Sequence, residues 1–171
     1  MPRLFFALWP GNAVRDQLYS VAQDLRHAGG GRLMRRVNLH QTLVFVGAVA
    51  AEHVADIVAA AAAVHAAPFG LAFGATGFWR HKRIVWAAPF ATPPPLTALV
   101  SALAAGLTRA GIEYDDRPYS AHVTLLRDAR EPASLPVLEF EWPVRDFVLL
   151  ESAQDDGGVV YRVAGRWPLA A

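Results

Sequence analysis

One short pattern occurs twice in this chain and restricts its fold more than any other feature. His40-Gln41-Thr42-Leu43-Val44-Phe45-Val46-Gly47 is apolar and β-branched up to a glycine stop, and reads as a strand. His122-Val123-Thr124-Leu125-Leu126 repeats the arrangement. Side chains alternate along a strand, so each histidine shares a face with the threonine two positions on. The histidines lie 82 positions apart, close to half of the 171-residue chain. Two similar half-structures, each presenting one His-x-Thr strand to a shared cleft, satisfy this pattern.

The remaining segments fit such a design. Arg3 to Trp9 has strand length and is broken by Pro10-Gly11-Asn12, with Asn12 a candidate helix N-cap. Val14, Leu18, Val21, Ala22 and Leu25 recur at helical spacing, predicting a helix from Ala13 to about Ala28 that stops at three glycines. A second helix is expected from about Ala51 to Ala66, ended by Pro68. Gly70 to Thr76 and Ile84 to Ala88 read as a hairpin. Pro93-Pro94-Pro95 leads into a helix with a Leu96, Leu99, Val100, Leu103 and Leu107 stripe. Strands are then expected at Val137 to Phe140, Val144 to Leu150 and Val159 to Arg166. Strands and helices mix without strict alternation, which points to an α+β fold: two antiparallel or mixed sheets lining a cleft, helices on the outer faces. No composition break divides the chain, so residues 1–171 are read as a single two-lobed domain whose lobes share strands.

Composition excludes several classes. Hydrophobic residues make up 54% and charged residues 18%, too apolar for a disordered chain. The net charge of +1 announces no polyanionic partner, so any contact with nucleic acid must use local basic groups. Without cysteine there is neither a disulfide framework nor thiolate chemistry. The apolar run Leu4 to Trp9 is too short for a signal-peptide core, and Ile57 to Val64 is far short of a membrane span. A cytoplasmic protein with no membrane contact is expected.

Histidine both accepts and donates protons near neutral pH. Two of them facing one substrate can serve as base and acid, while threonine hydroxyls donate to oxygens in which charge develops. A phosphoryl group suits this set, because its attacking and leaving oxygens lie on opposite sides of phosphorus. A lone histidine on a strand is more often a packing residue; the doubled motif favours function. A metal site is not expected, since no third or fourth ligand sits at suitable spacing and threonine is a poor ligand. No cofactor is implied.

His40-Gln41-Thr42-Leu43 with Phe45-Val46-Gly47, and His122-Val123-Thr124-Leu125 followed by Arg127, resemble the paired signatures of the two-histidine phosphoesterases. Within them the chain is most similar to the RNA 2′,3′-cyclic phosphodiesterases, also called 2′-5′ RNA ligases. Arg3-Leu4-Phe5-Phe6-Ala7-Leu8, Asn38-Leu39, Gly77-Phe78 with Ile84-Val85-Trp86, and Leu149-Leu150-Glu151-Ser152 followed by Tyr161 extend the resemblance over nearly the whole chain. Two departures are Ala121, where the family usually has proline, and Leu33-Met34-Arg35-Arg36 in place of an aromatic-proline segment. The resemblance implies metal-independent opening of an RNA terminal 2′,3′-cyclic phosphate to a 2′-phosphate, with 2′-5′ joining as the associated reverse-type reaction. It gives His40 the acid's role at the leaving 3′ oxygen, His122 the base's role toward water, and Thr42 and Thr124 the phosphate oxygens. Arg127 becomes the phosphate clamp, although five positions after His122 simple alternation puts it on the opposite face. RNA ends, tRNA fragments among them, are the expected partners of a monomer.

Arg80-His81-Lys82-Arg83 is the densest basic cluster; it reads either as a grip on RNA backbone, through Arg80, Lys82 and Arg83, or as a solvated turn. Arg35 and Arg36 are candidates for the cleft entrance. Phe78, Trp79 and Tyr119 either stack on a terminal base or pack in the interior. Ser152 is carried over from the resemblance. His27, His53 and His65 are read as structural or surface residues. Two other activities are kept open: a two-histidine enzyme for a small cyclic phosphate such as an ADP-ribose derivative, and a module that binds RNA ends without turnover.

Overall fold

The structure, a computed structural model, describes residues 1–170. Its two sheets are antiparallel at every pairing. The first has the order β3-β1-β8-β9, formed by Gln41–Ala48, Arg3–Leu8, Asp146–Asp155 and Gly158–Pro168. The second has the order β2-β6-β5-β4-β7, formed by Arg32–Leu33, Val123–Arg127, Ile84–Pro89, Phe69–Trp79 and Phe140–Val144. The first and last strands thus share one sheet, and each sheet holds one of the two motif strands.

Helix α1 (Asn12–Gly29) packs against β6 and β2. Its buried Val14, Leu18, Ala22 and Leu25 are spaced as an apolar stripe must be to cover a sheet. Helices α2 (Val54–Ala62) and α3 (Pro94–Arg109) lie against each other and reach β9 and β3. One continuous core joins these helices to the inner faces of both sheets. On the other side of β1, Phe5, Ala7, Val148 and Leu150 form a smaller cluster with Trp9 and Tyr161. No described helix is long and apolar enough to cross a membrane.

Several expected boundaries move. Gly11, with φ −74° and ψ 175°, occupies the N-cap, and Asn12 is already helical. The Asn12 side chain instead accepts a hydrogen bond from Arg36. The expected Ala51 to Ala66 helix is a 3-10 turn at Ala51–His53 followed by α2, which stops at Ala62, six residues before Pro68. Beyond it, the Ala66 carbonyl accepts the Ala170 amide. The expected strand at Val137 to Phe140 begins only at Phe140, where pairing with Phe73 starts; Val137 is 73% exposed. β4, β8 and β9 run longer than their apolar cores suggest, because pairing with neighbouring strands continues past them: β4 with β5 to Trp79, and β8 with β9 through the polar stretch to Asp155.

Gly77 has a tertiary reason to be glycine: a Cβ there would lie 2.0 Å from the half-buried Trp86 ring. A Cβ at Gly74 would be equally close to Phe90, but that ring is 67% exposed and free to swing away. Gly77→Ala should therefore cost about 1–3 kcal/mol, as overpacking does, while Gly74→Ala costs less. Thermal unfolding of the two variants should differ by several degrees, since about 1 kcal/mol moves a domain of this size by roughly 2–4 °C. Equal melting temperatures would refute the distinction.

Candidate active site

The geometry of the site begins with two bulges. Along β1–β3, Phe6 pairs with Val44 and Ala7 with Thr42, which leaves Leu43 as an extra residue. Along β5–β6, Val85 pairs with Leu126 and Trp86 with Thr124, which leaves Leu125 extra. An extra residue resets the alternation of side chains. Leu43 and Val44 are accordingly both buried in the core, as are Leu125 and Leu126. The next residue in each strand, Phe45 or Arg127, returns to the side of the threonine. His40, Thr42, Phe45, His122, Thr124 and Arg127 all line one cavity of about 850 Å³ between the sheets. The bulge supplies the turn that simple alternation denies to Arg127.

Both histidines stand one residue before their strands, where the backbone is not yet committed to a ladder. Each ring closes a bond to the carbonyl two residues earlier: His40 Nδ1 to Asn38 O at 2.7 Å, and His122 Nδ1 to Ser120 O at 2.8 Å. A carbonyl only accepts, so Nδ1 carries the hydrogen in both rings and Nε2 is the nitrogen with a lone pair to accept. Thr42 Oγ1 lies 3.1 Å from His40 Nε2 and donates to it. Asn38 is itself held by β9, donating from Nδ2 to Val159 O and accepting the Tyr161 amide. Arg15, buried and stacked over Trp9, donates to Arg36 O and Pro10 O and so fastens the segment leading to His40.

Aromatic walls set the electrostatics. Phe5 and Tyr161 each lie 5.1 Å from the His40 ring, and Trp79 meets the His122 ring edge-on at 4.6 Å. Burial therefore disfavours imidazolium, pushing His40 down from 6.5 to about 4; the Asn38 carbonyl opposes this, and His122 and Arg127 add to it. His122 is also lowered, first by burial and then by Lys82 and Arg127, against the Ser120 carbonyl. Burial and the neighbouring cations thus disfavour a proton on either ring, a condition that an anion reverses.

The other sequence candidates divide. Ser152 lines the same cavity. Lys82 and Tyr119 line an adjoining cavity of about 490 Å³, together with Trp79. Burial pushes the Tyr119 phenol up to about 12, and its oxygen accepts from Gln41. The structure does not bring the rest there. Arg35 is bound to Asp155 and Val159 O in the β8–β9 turn, and Arg36 to Asp16 and Asn12. Arg80 pairs with Glu131. Arg83, at φ 54°, donates to the carbonyls of Asp128 and Ala129. Phe78 faces the core. Sequence reasoning missed Phe5, Phe45 and Tyr161 as cavity walls. Phe45 was findable, because it occupies in the first motif the position that Arg127 holds in the second.

Residues 14–156 match the family model described as the 2′-5′ RNA ligase superfamily. The chain is 32% identical over 169 residues to the RNA 2′,3′-cyclic phosphodiesterase of Escherichia coli (strain K12), covering 98% of this chain and 96% of that protein. Its fold superposes on the apo crystal structure of E. coli LigT with a TM-score of 0.90 at 32% identity, covering 99% of each chain. E. coli LigT complexed with 3′-AMP matches with a TM-score of 0.87 at 30% identity, again over 99% of each chain.

Histidine titration by NMR should place His40 near 4 and His122 below 6.5. Inorganic phosphate should raise both, because a bound anion favours imidazolium. Arg127→Ala should raise both as well, because it removes a cation. A His40 titrating above 6.5 in the free protein contradicts the geometry described.

Proposed function

Since the chain belongs to the 2′-5′ RNA ligase superfamily, we propose that it opens 2′,3′-cyclic phosphates at RNA ends, leaving a 2′-phosphate, without a metal ion. The observation that carries this reading is the convergence of two imidazoles of fixed tautomer, two threonine hydroxyls and one guanidinium on a single cavity. Chemically these are the parts that in-line displacement at phosphorus needs. The two halves of the chain then work as one catalytic unit, a cytoplasmic monomer acting on RNA ends such as tRNA fragments.

The step follows from the placement of the groups. The cyclic phosphate enters among Thr42, Thr124 and Arg127, whose guanidinium can bond two oxygens at once. Thr42 turns its hydroxyl from His40 Nε2 to a phosphate oxygen, which frees that nitrogen. The anion's charge favours imidazolium, so His40, neutral in the empty site near pH 7, takes up a proton as substrate binds. His122 Nε2 removes a proton from water while the water oxygen forms a bond to phosphorus. The bond from phosphorus to O3′ breaks, and O3′ takes the proton from His40. An alcohol in place of water gives a 2′-5′ linkage by the same step, the ligase activity in the superfamily's name.

RNA ending in a 2′,3′-cyclic phosphate should be turned over in EDTA. His40→Ala and His122→Ala should each lose about 10²–10⁴-fold, the usual contribution of a general acid or base. Turnover undiminished in either variant would sink the mechanism. A mononucleoside cyclic phosphate consumed much faster than RNA would move the assignment to small cyclic phosphates. Salt-dependent RNA binding with no turnover would leave only a binding module.

The pH dependence carries a sign. In the free protein burial holds both histidines below the ordinary 6.5, His40 down at about 4, so a pair sharing a single proton is populated on the acid side of 6.5. The kcat/KM profile should therefore peak on the acid side of 6.5. The kcat profile, which reports the complex, should lie at higher pH because bound phosphate raises both groups. A kcat/KM optimum above pH 8 contradicts this.

A further inference from the structure

We propose that the smaller cavity is the binding site for the alcohol that attacks phosphorus: a nucleoside presenting its 5′-hydroxyl, preferably one bearing a phosphate of its own. The inference rests on the displacement chemistry proposed above and assigns a subsite to its second reactant. Three observations lead to it.

The first is continuity. The cavities of about 850 and 490 Å³ share Thr42, Phe45, His122, Thr124 and Arg127, the residues grouped around the phosphate position. Otherwise their linings differ. His40, Phe5 and Tyr161 belong to the larger one alone; Trp79, Lys82, Arg117 and Tyr119 belong to the smaller one alone. In-line displacement puts the attacking and leaving oxygens on opposite sides of phosphorus. The nucleoside whose O3′ departs toward His40 therefore fills the larger arm. Whatever approaches through His122 comes from the smaller one.

The second observation is chemical. Water needs no binding site, yet this arm is furnished for a nucleotide. Trp79 and Tyr119 offer aromatic surface, on which a base stacks for about 1–3 kcal/mol. Lys82 Nζ lies over the Trp79 ring at 5.2 Å and makes no ion pair among the described residues. Arg117 is joined to Asp115, with Arg117 Nε 2.9 Å from Oδ1. Two cations against one carboxylate leave a positive remainder, which suits a phosphate on the incoming nucleotide. A cavity of this size falls in the range of small-molecule sites.

The third is support. The loop carrying Asp115 and Arg117 is pinned to the edge of β3 by the Asp115 amide, which donates to Phe45 O at 2.8 Å. The Trp79 ring that floors the arm also touches His122. A ligand held there is coupled directly to the group that would take its proton. The step balances without a co-reactant. The 5′-hydroxyl gives its proton to His122 and its oxygen bonds to phosphorus. The bond to O3′ breaks, and O3′ takes the proton of His40.

The test is a competition between water and alcohol. The protein is given a nucleoside 2′,3′-cyclic phosphate with increasing 5′-hydroxyl nucleoside 3′-phosphate, and dinucleotide and hydrolysis product are both quantified. Dinucleotide formation should saturate with acceptor, and a 3′-phosphorylated acceptor should outcompete the bare nucleoside, less so as salt is raised. Lys82→Glu and Arg117→Glu should each lower the dinucleotide-to-hydrolysis ratio at least tenfold. Because it is a ratio, an effect common to both reactions cancels. A ratio unchanged in both variants overturns the assignment, as does dinucleotide rising linearly with acceptor. Hydrolysis without any dinucleotide also overturns it while sparing the hydrolase reading. Absence of both products removes the two together.

Discussion

The residue inserted just after the threonine of each motif strand is the constraint on which this site depends. A regular strand can put a histidine and the threonine two positions on into a cleft, but the residue five positions on then faces away. Leu43 and Leu125 break that rule in the same place. Each sends two consecutive apolar side chains into the core and returns the next residue to the cavity. Burial of the leucine pair holds the bulge, so the apolar interior and the polar site are set by one backbone event. The two halves spend the recovered position differently: one places the cation Arg127 there, the other the aromatic Phe45.

The histidines show how environment prepares a common side chain. A carbonyl two residues back fixes each tautomer, and aromatic rings on one side of each imidazole remove water. Burial, with Arg127 near both, makes the two rings resist protonation. A cationic cleft holding two neutral imidazoles is prepared for an anion. In the mechanism proposed above, the bound phosphate supplies the field in which one ring takes a proton and the other stays free to accept one. Asn38 and Arg15 do no chemistry, yet they tie the turn before His40 to β9 and to α1.

Much of the architecture could be read from residues alone. The stripe Val14, Leu18, Ala22 and Leu25 marked α1 within a residue at each end, since helical periodicity is a local property. The doubled His-x-Thr picked out, for the same reason, two histidines and two threonines that the structure brings to one cavity. Boundaries failed where pairing with distant chain decides them, as at Val137, which finds no partner strand because β7 meets β4 only from Phe140. The basic residues were hardest to sort. Arg35, Arg36, Arg80 and Arg83 are bound to groups elsewhere in the fold, and only Lys82 of that set opens onto a cavity.

The sequence by itself determined the family, the α+β class, the pair of histidines and their threonine neighbours, because each is written in short-range spacing. Tertiary structure alone decided that Arg127 and Phe45 face the cleft, that Trp79 does so while Phe78 does not, and that the cleft has two arms. Those outcomes depend on strand register and on which surfaces meet. Register is fixed by pairing between segments far apart in the chain, so no local window of residues contains it.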